Sequence, residues 1–324
     1  MKSVLAAVDV GGTSLKMAFV THDGEIAAKW EIPTNQSDKG AHIISEAAAS
    51  IKEKQREYNV DIGAVGVGAP GFIDVERGFI YEAVNVGWKS YPLREEMESL
   101  LGLPVVVDND ANLAAGGEKW KGAGGGADNL LAVTLGTGVG GGIIAGGSII
   151  HGQSGMAGEI GHITAVREGG ARCNCGKNGC LETVASATGI ARIGREKAAA
   201  NPSSSIGGAL KAKGSLSAKE IIDAAKNGDH AAEEAVNEAA DHLGFALANL
   251  CNSLNPETIV IGGGVSKAGD YLVEKITASF KTYAIPKIAA ETTIRLAELG
   301  NDAGVIGAAW LAAKAYRGEG TAEL

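Results

Sequence analysis

A glycine-rich strand–turn–strand pattern occurs twice along this chain, and the repetition limits the possible folds more than any other feature. The first copy runs through Val4 to Val10, the turn Gly11-Gly12-Thr13 and a second apolar segment, Leu15 to Val20. In the second copy, the segment Ala132 to Gly138 aligns with Ala7 to Thr13. Apolar segments bounded by glycine turns predict hairpins, and their recurrence indicates a duplicated unit. The chain therefore contains two related halves.

Each copy carries a Gly/Thr turn between its two strands. Glycine leaves backbone N–H groups uncovered and threonine adds a hydroxyl, so an anion can approach such a turn closely. Two turns of this kind suit a polyphosphate ligand. A single turn would be weak evidence because most turns of this composition bind nothing, but the duplication favours the ligand interpretation.

The composition indicates a folded protein that acts on small molecules. A chain of 324 residues is long enough for about two domains. Its 48 glycines indicate many tight turns rather than disorder, because 45% of residues are apolar and only 21% are charged. The net charge of -9 comes with no long basic run, and no apolar run approaches the ~20 residues of a membrane span. We expect a cytoplasmic protein that binds neither nucleic acid nor membrane.

Two further apolar segments, Ala64 to Gly68 and Val105 to Val107, read as buried strands. Polar residues follow the second strand, at the edge of an α/β sheet where ligands bind. Among them, Asp110 is ionised at neutral pH and can accept a proton from a nearby hydroxyl. Asn109 offers both a donor and an acceptor. An aspartate at a strand end can equally be a helix cap or a turn former, and we assign that role to Asp108.

Asp9 and Asp110 follow different strands and suit different tasks in a phosphoryl transfer. Catalysis of this reaction depends on alignment and charge neutralisation. Magnesium draws charge from the phosphates, backbone donors hold the oxygens, and a carboxylate deprotonates the nucleophile. Asp9 would lie near the magnesium-nucleotide and Asp110 near the accepting hydroxyl.

Several segments are predicted to be helices, and Ala187 to Ala199, Ser217 to Lys226 and His230 to Leu254 have the apolar spacing of packing helices. The predicted helices are Ala41 to Tyr58, Asn112 to Lys119, Ala187 to Ala199, Ser217 to Lys226, His230 to Leu254 and Gly304 to Tyr316. Asn201 to Gly208 is rich in turn formers and predicts a surface loop. We expect the last helix to return to the first domain. The expected domains are a smaller N-terminal α/β domain of residues 1–112 plus 302–324 and a larger C-terminal α/β domain of residues 113–301.

Three of the four cysteines lie close to a histidine in one glycine-rich stretch. The four residues are His162, Cys173, Cys175 and Cys180. The set has the ligand number and type of a closed zinc site, and in a cytosolic chain it favours metal binding over disulfides. The remaining cysteine, Cys251, is expected to pack within a helix.

Two carboxylates flank the cysteine stretch. Glu159 lies three residues before His162, and Glu182 lies two residues after Cys180, so a bound metal would fix both carboxylates in space. This arrangement favours a metal-stabilised pocket for a polyhydroxyl ligand. Two simpler interpretations remain open, namely a zinc knuckle with no catalytic neighbour and thiols that lie together by chance.

Five motifs spread over essentially the whole chain occur together in one known family. They are Asp9-Val10-Gly11-Gly12-Thr13, Asp108-Asn109-Asp110-Ala111-Asn112, Leu135-Gly136-Thr137-Gly138-Val139-Gly140-Gly141-Gly142, Ala157-Gly158-Glu159-Ile160-Gly161-His162, and Cys173-Asn174-Cys175-Gly176 with Cys180-Leu181-Glu182. In this combination the sequence resembles the ROK family (repressor, open reading frame, kinase), and in particular its bacterial glucokinases. The resemblance implies the actin-like, hexokinase-type ATPase fold (ribonuclease H-like), an α/β fold of two domains with an interdomain cleft. It also implies ATP-dependent phosphorylation of a hexose at the 6-hydroxyl, with glucose as the expected substrate.

The resemblance implies a role for each motif residue. Asp110 would be the catalytic base. The residues that would hold the sugar hydroxyls are Gly71, Asn85, Asn109, Asp110, Glu159, His162 and Glu182. Those that would bind ATP with Mg²⁺ are Asp9, Gly11, Gly12, Thr13, Lys16, Thr137, Gly138, Gly263 and Gly264, although a lysine on a strand is more often a solvated surface residue. His162 would also bind Zn²⁺ together with Cys173, Cys175 and Cys180.

Some alternatives use the same residues. N-acetylmannosamine, N-acetylglucosamine, fructose or allose could replace glucose, and polyphosphate could replace ATP. Outside the kinases, the chain could be a non-catalytic sugar sensor, but Asp110 and both Gly/Thr turns argue against this. An actin-like or chaperone-type ATPase would not explain the carboxylates beside the cysteines. We expect a homodimer, which is the default for the family.

Overall fold

The computed structural model describes residues 2–319. These residues form two compact units. Unit 1 contains the described parts of Met1–Asp128, Gly142–Gly158 and Glu298–Leu324, and unit 2 contains Asn129–Gly141 and Glu159–Ala297. Within residues 2–319, no helix is both long enough and apolar enough to cross a membrane.

Strands and helices alternate along the described chain. The strands are β1 (Lys2–Val10), β2 (Ser14–Val20), β3 (Ile26–Pro33), β4 (Val60–Ala69), β5 (Phe72–Asp74), β6 (Phe79–Ala83), β7 (Trp88–Tyr91), β8 (Val105–Asn109), β9 (Leu130–Leu135), β10 (Val139–Ala145), β11 (Ser148–Ile149), β12 (Thr258–Gly262) and β13 (Thr293–Leu296). The α-helices are α1 (Ile43–Tyr58), α2 (Leu93–Leu101), α3 (Asp110–Lys121), α4 (Glu182–Ala185), α5 (Ala187–Ala200), α6 (Ser205–Lys213), α7 (Ala218–Lys226), α8 (His230–Leu254), α9 (Asp270–Tyr283), α10 (Pro286–Glu291) and α11 (Ala303–Tyr316).

The main sheet of unit 1 has the strand order β3-β2-β1-β4-β8. β2 is antiparallel to β1 and β3, whereas β4 is parallel to β1 and β8. β1 is buried continuously from Val4 to Val8, as expected of a strand that is covered on both faces. The predicted opening strands are therefore confirmed. A second, antiparallel sheet, β5-β6-β7, was not predicted, because its strands are short and carry no clear alternation.

The other five-stranded sheet has the order β11-β10-β9-β12-β13. β12 runs parallel to β9 and β13, so the carboxyl ends of these strands meet at one edge. The predicted hairpin of the second half is present as β9 and β10, which are neighbours in this sheet on either side of the turn Gly136-Thr137-Gly138. β10 also pairs with β11 in an antiparallel arrangement.

Helix α3 belongs to unit 1, whereas the expected boundary placed residues 113–301 in the second domain. The reason lies in its packing on α11. A Cβ atom on Gly117 would overlap the Ala303 carbonyl, and one on Gly307 would overlap the Leu113 carbonyl. Glycines at these contacts let the two helix backbones approach closely, and this close approach joins them in one unit. The segment Gly142–Gly158 also groups with unit 1, which the sequence did not indicate.

The expected loop at Asn201 to Gly208 is partly wrong, because α6 begins inside it at Ser205. The Ser204 hydroxyl accepts a hydrogen bond from the Gly207 backbone N–H, which is a standard N-cap. Asp229 accepts a further bond from the Ser205 backbone N–H over 2.6 Å. Asp229 also caps α8, so one carboxylate stabilises the start of two helices.

Candidate active site

The structure brings the four predicted metal ligands together in unit 2. One ligand atom from each of His162, Cys173, Cys175 and Cys180 lies within 4.8 Å of the others. His162 ends a short 3-10 turn, Ile160–His162, and an isolated bridge joins Thr164 to Cys180. Gly179 makes the tight turn before Cys180 at a positive φ of 72°, which glycine adopts readily. A Cβ at this position would also overlap the Val166 carbonyl.

The spacing of these atoms fits a tetrahedral metal ion. With metal–sulfur bonds of ~2.3 Å, neighbouring ligand atoms of a tetrahedron lie roughly 3.8 Å apart. The His162 Nδ1 to Cys173 Sγ distance and the Cys175 Sγ to Cys180 Sγ distance are both 3.5 Å. All three cysteines are free of disulfides. This donor set can therefore hold a zinc-type dication.

The thiols of the cluster differ in their acidity. Burial, with a hydrogen bond to Glu182, raises the pKa of Cys173 to about 12. Burial also raises the pKa of Cys180, whereas a hydrogen bond from the Lys177 backbone lowers the pKa of exposed Cys175. A dication among these thiols favours their thiolate forms, so metal binding releases protons.

Both predicted carboxylates lie beside the cluster. The Cys173 thiol donates to Glu182 Oε1 over 2.9 Å, and His162 Nε2 lies 3.8 Å from Glu159 Oε2. The two nitrogens of His162 thus face different partners, because Nδ1 points to the sulfurs and Nε2 to Glu159. A Cβ on Gly138 would lie 2.7 Å from Glu182 Oε2. The second Gly/Thr turn therefore adjoins Glu182.

The nucleotide candidates of unit 2 meet at the end of its parallel strands. The carbonyl of Thr137 accepts a hydrogen bond from Thr188 of α5 over 2.8 Å. Gly263 follows β12 with a φ of 87°, and a Cβ there would lie 2.5 Å from the backbone of Leu135, the last residue of β9. The turns after β9 and β12 are therefore neighbours.

A cavity of about 290 Å³ opens beside Gly264. Its wall includes Ala187 and Ile222, which supply apolar surface, and Ser217 at the N-terminus of α7. Lys267 also lines it. Sequence reasoning assigned Gly264 but missed this cavity, because its other walls come from packing helices with no motif.

The first Gly/Thr turn of unit 1 is closed by a bond from the Gly11 N–H to the Ser14 carbonyl over 3.1 Å. The Gln36 side chain donates to the carbonyls of Gly12 and Asn85, so this turn lies beside a predicted sugar-binding residue. Thr13 is exposed at the tip.

Asp9 lies opposite Lys16 in the β1–β2 register. Burial raises the pKa of Asp9, and the charge of Lys16 opposes that rise. A Cβ on Gly304 would lie 2.7 Å from Asp9 Oδ2, so only glycine leaves room for the carboxylate. Lys16 is thus the partner of a candidate site residue rather than an isolated surface lysine.

Asn109 is the last residue of β8, and Asp110 is the first residue of α3. The Asn109 side chain caps α3 by accepting a bond from the Ala111 N–H over 2.9 Å. Asp110 is exposed as the first residue of the helix. Asn109 pairs with Ala69 at the end of β4, and Gly71 follows two residues later. At a φ of 96°, Gly71 leaves no room for a side chain against the Glu82 carbonyl.

Asp108 is not the simple turn former that we expected. Its carboxylate is fully buried, and Oδ2 accepts a hydrogen bond from His151 Nε2 over 2.7 Å. Oδ1 accepts from the Asn109 backbone N–H over 2.7 Å and from Asn112 Nδ2 over 2.9 Å. Sequence reasoning missed His151 entirely, because no spacing rule links it to β8.

Comparison with known protein families identifies the family of this chain. The ROK family model matches residues 5–315, which is nearly the whole chain. This chain belongs to the ROK family.

A relative named glucokinase, from Halalkalibacterium halodurans, is 56% identical to this ROK protein over 307 residues, covering 94% of this chain and 93% of the relative. The crystal structure of a ROK hexokinase from Thermus thermophilus superimposes with a TM-score of 0.82 at 31% identity, covering 97% of this chain and 99% of the other. A ROK glucokinase from Streptomyces griseus in complex with glucose and AMPPNP gives a TM-score of 0.75 at 36% identity, covering 95% and 99%. The predicted α/β, hexokinase-type fold is therefore confirmed for this ROK chain.

Proposed function

We propose that this ROK protein is a glucokinase, which transfers the γ-phosphoryl group of ATP to the 6-hydroxyl of glucose. The observation that carries the proposal is the 56% identity, over almost the full length of both chains, to a relative named glucokinase. The solved ROK glucokinase that holds both glucose and AMPPNP supports the same substrate pair.

In this proposal, Asp110 takes the proton of the 6-hydroxyl, and the sugar oxygen then attacks the γ-phosphorus while ADP leaves. The position of Asp110 supports its role, because the carboxylate is exposed at the end of a parallel strand, where ligands of α/β proteins bind. The hydroxyls of the sugar are assigned to the candidate residues of the resemblance. They are Gly71, Asn85, Asn109, Glu159, His162 and Glu182.

The four cysteine and histidine ligands are proposed to hold Zn²⁺. The ion would supply a fixed anchor for the segment that carries Glu159 and Glu182. The 2.9 Å separation of Cys173 Sγ and Glu182 Oε1 supports this coupling, because a metal ligand and a carboxylate assigned to the sugar are then direct neighbours. His162 can bind the metal through Nδ1 and leave Nε2 for Glu159 or a sugar hydroxyl.

The nucleotide is assigned to the turns at the strand ends. The assigned residues are Asp9, Gly11, Gly12, Thr13, Lys16, Thr137, Gly138, Gly263 and Gly264. The cavity beside Gly264 would take the nucleoside, because its apolar wall suits a base and its three lysines, Lys219, Lys226 and Lys267, suit a phosphate or ribose oxygen. Mg²⁺ would neutralise phosphate charge near Asp9.

An ADP-release assay with a panel of sugars tests the proposal. With ATP as donor, glucose should give the highest kcat/KM among glucose, fructose, allose, N-acetylglucosamine and N-acetylmannosamine. A higher value for an N-acetylhexosamine would reassign the substrate, and binding of glucose without ADP release would indicate a sugar sensor. Replacing ATP by polyphosphate tests the donor.

We also propose that the enzyme works as a homodimer in the cytoplasm. Free thiols at all four cysteines suit a reducing compartment, where ATP is available. The mass of the purified protein in solution, measured by light scattering, should be twice that of one chain.

A further inference from the structure

His151 is bonded to a buried carboxylate next to the proposed catalytic base. Asp108 is fully buried, and an uncompensated carboxylate in such a place is costly. His151 supplies the opposite charge, over a 2.7 Å hydrogen bond. Burial alone would lower the pKa of His151, but the bond and the charge of Asp108 outweigh it, and the pKa is raised. The two side chains therefore form an ion pair when His151 is protonated.

Asp108 also binds groups at the end of β8 and the start of α3. Its other oxygen holds the backbone N–H of Asn109 and the side chain of Asn112, so the peptide before α3 has a fixed orientation. Asn109 then caps α3, and Asp110 is the first residue of that helix. The pair thus fixes the backbone from which both proposed sugar-binding residues project.

We infer that His151 is a positioning residue for the kinase reaction, acting through Asp108 on Asn109 and Asp110. The inference rests on the proposed role of Asp110 as the base. His151 does not need to touch the sugar, since it acts by balancing the charge of Asp108 and by holding its carboxylate in one place.

Solvent can reach the His151 side chain. Its side chain is 19% exposed and lines a cavity of about 700 Å³ in unit 1. The titratable groups that share this cavity are Asp74, Glu76 and Tyr81, and Lys314 bonds Ser148 on its wall. Protonation of His151 therefore follows the pH of the solution. When His151 is neutral, the negative charge of Asp108 is unbalanced two residues before Asp110, and a nearby like charge favours the protonated form of a carboxyl group.

The test compares His151→Gln with His42→Gln. Glutamine can still donate to Asp108 but carries no charge. His42 is a matched control, because it also contacts an aspartate, Asp38 at 3.3 Å, but on the surface. We expect His151→Gln to lower kcat about ten-fold or more, with a smaller change in KM for glucose, and to move the acidic limb of the kcat/KM profile to higher pH. His42→Gln should match the wild type.

A purely structural role would lower the melting temperature without moving the pH profile. An unmoved profile with kcat within two-fold of wild type would overturn the inference. If His151→Gln does not fold, the double variant Asp108→Asn/His151→Gln replaces it, because its two amide side chains can pair without a buried charge. The double variant should fold and regain turnover. A folded double variant with no gain in turnover would also count against charge balance. The proposed base is tested separately, because an active Asp110→Asn enzyme would remove that assignment whatever His151 does.

Discussion

The Cys173 thiol donates a hydrogen bond to Glu182 Oε1 over 2.9 Å, so the metal-type cluster contacts a carboxylate that is assigned to the sugar. His162 makes a second link, since one ring nitrogen faces Cys173 and the other faces Glu159. Loss of the cluster should therefore disturb sugar binding as well as stability.

Cys175→Ser tests this coupling. Cys175 is exposed, so the substitution costs little packing, and any large effect comes from the metal. We expect less bound zinc by elemental analysis, a lower melting temperature and a KM for glucose raised about ten-fold or more. Cys251→Ala, at a buried cysteine outside the cluster, is the control and should keep its metal. Wild-type zinc content and KM in Cys175→Ser would contradict the assignment.

Asp110→Asn tests the base. Asparagine keeps the oxygen that accepts the Ala111 N–H over 2.8 Å, so the start of α3 should remain intact. It cannot accept the proton, and kcat should fall at least about 100-fold while glucose still binds. Asp61→Asn, at an exposed aspartate on β4, should leave kcat unchanged. Stopped-assay rates and calorimetric glucose titrations measure the two effects.

The sequence predicted the placement of residues that are close in the chain or belong to a repeated motif. The cysteine cluster and the strand-end residues Asn109 and Asp110 are of this kind. The His151 to Asp108 pair was out of reach, because 43 positions separate them and only tertiary folding brings them together. The start of α6 was missed because part of its support comes from Asp229, a residue 24 positions later that caps α8.

The grouping of α3 with unit 1 was also out of reach of the sequence, for a similar physical reason. Gly116 and Gly117 look unfavourable for a helix, yet they allow α3 to pack closely on α11. Sequence spacing gives the helix but not its partner, so the unit to which α3 belongs follows only from tertiary packing.

Gly307→Ala should therefore destabilise the protein. A methyl group there would overlap the Leu113 carbonyl, and a backbone atom cannot move aside cheaply. We expect the free energy of unfolding to fall by about 2–3 kcal/mol in urea titrations. The matched control is Gly208→Ala in α6, where a Cβ meets nothing within 4 Å. That change should be neutral or should stabilise by up to about 1 kcal/mol, since alanine favours helix more than glycine does. Equal effects at both positions would contradict the packing argument.

Replacing Asp9 should change both the stability and the activity of the protein. Because burial raises its pKa in the folded protein above the ordinary value of 3.8, its contribution favours the folded state at low pH and is lost as the pH rises through the raised pKa. In protein without nucleotide or magnesium, Asp9→Asn should therefore melt at a higher temperature than wild type at pH 7, and the difference should shrink as the pH falls toward 4. The same variant should lose most of its kcat, because the carboxylate near the magnesium-nucleotide is gone. Melting curves at several pH values, with Asp61→Asn as the control, measure the first effect. A variant that is less stable than wild type at pH 7 would show that the attraction of Lys16 outweighs burial at this position.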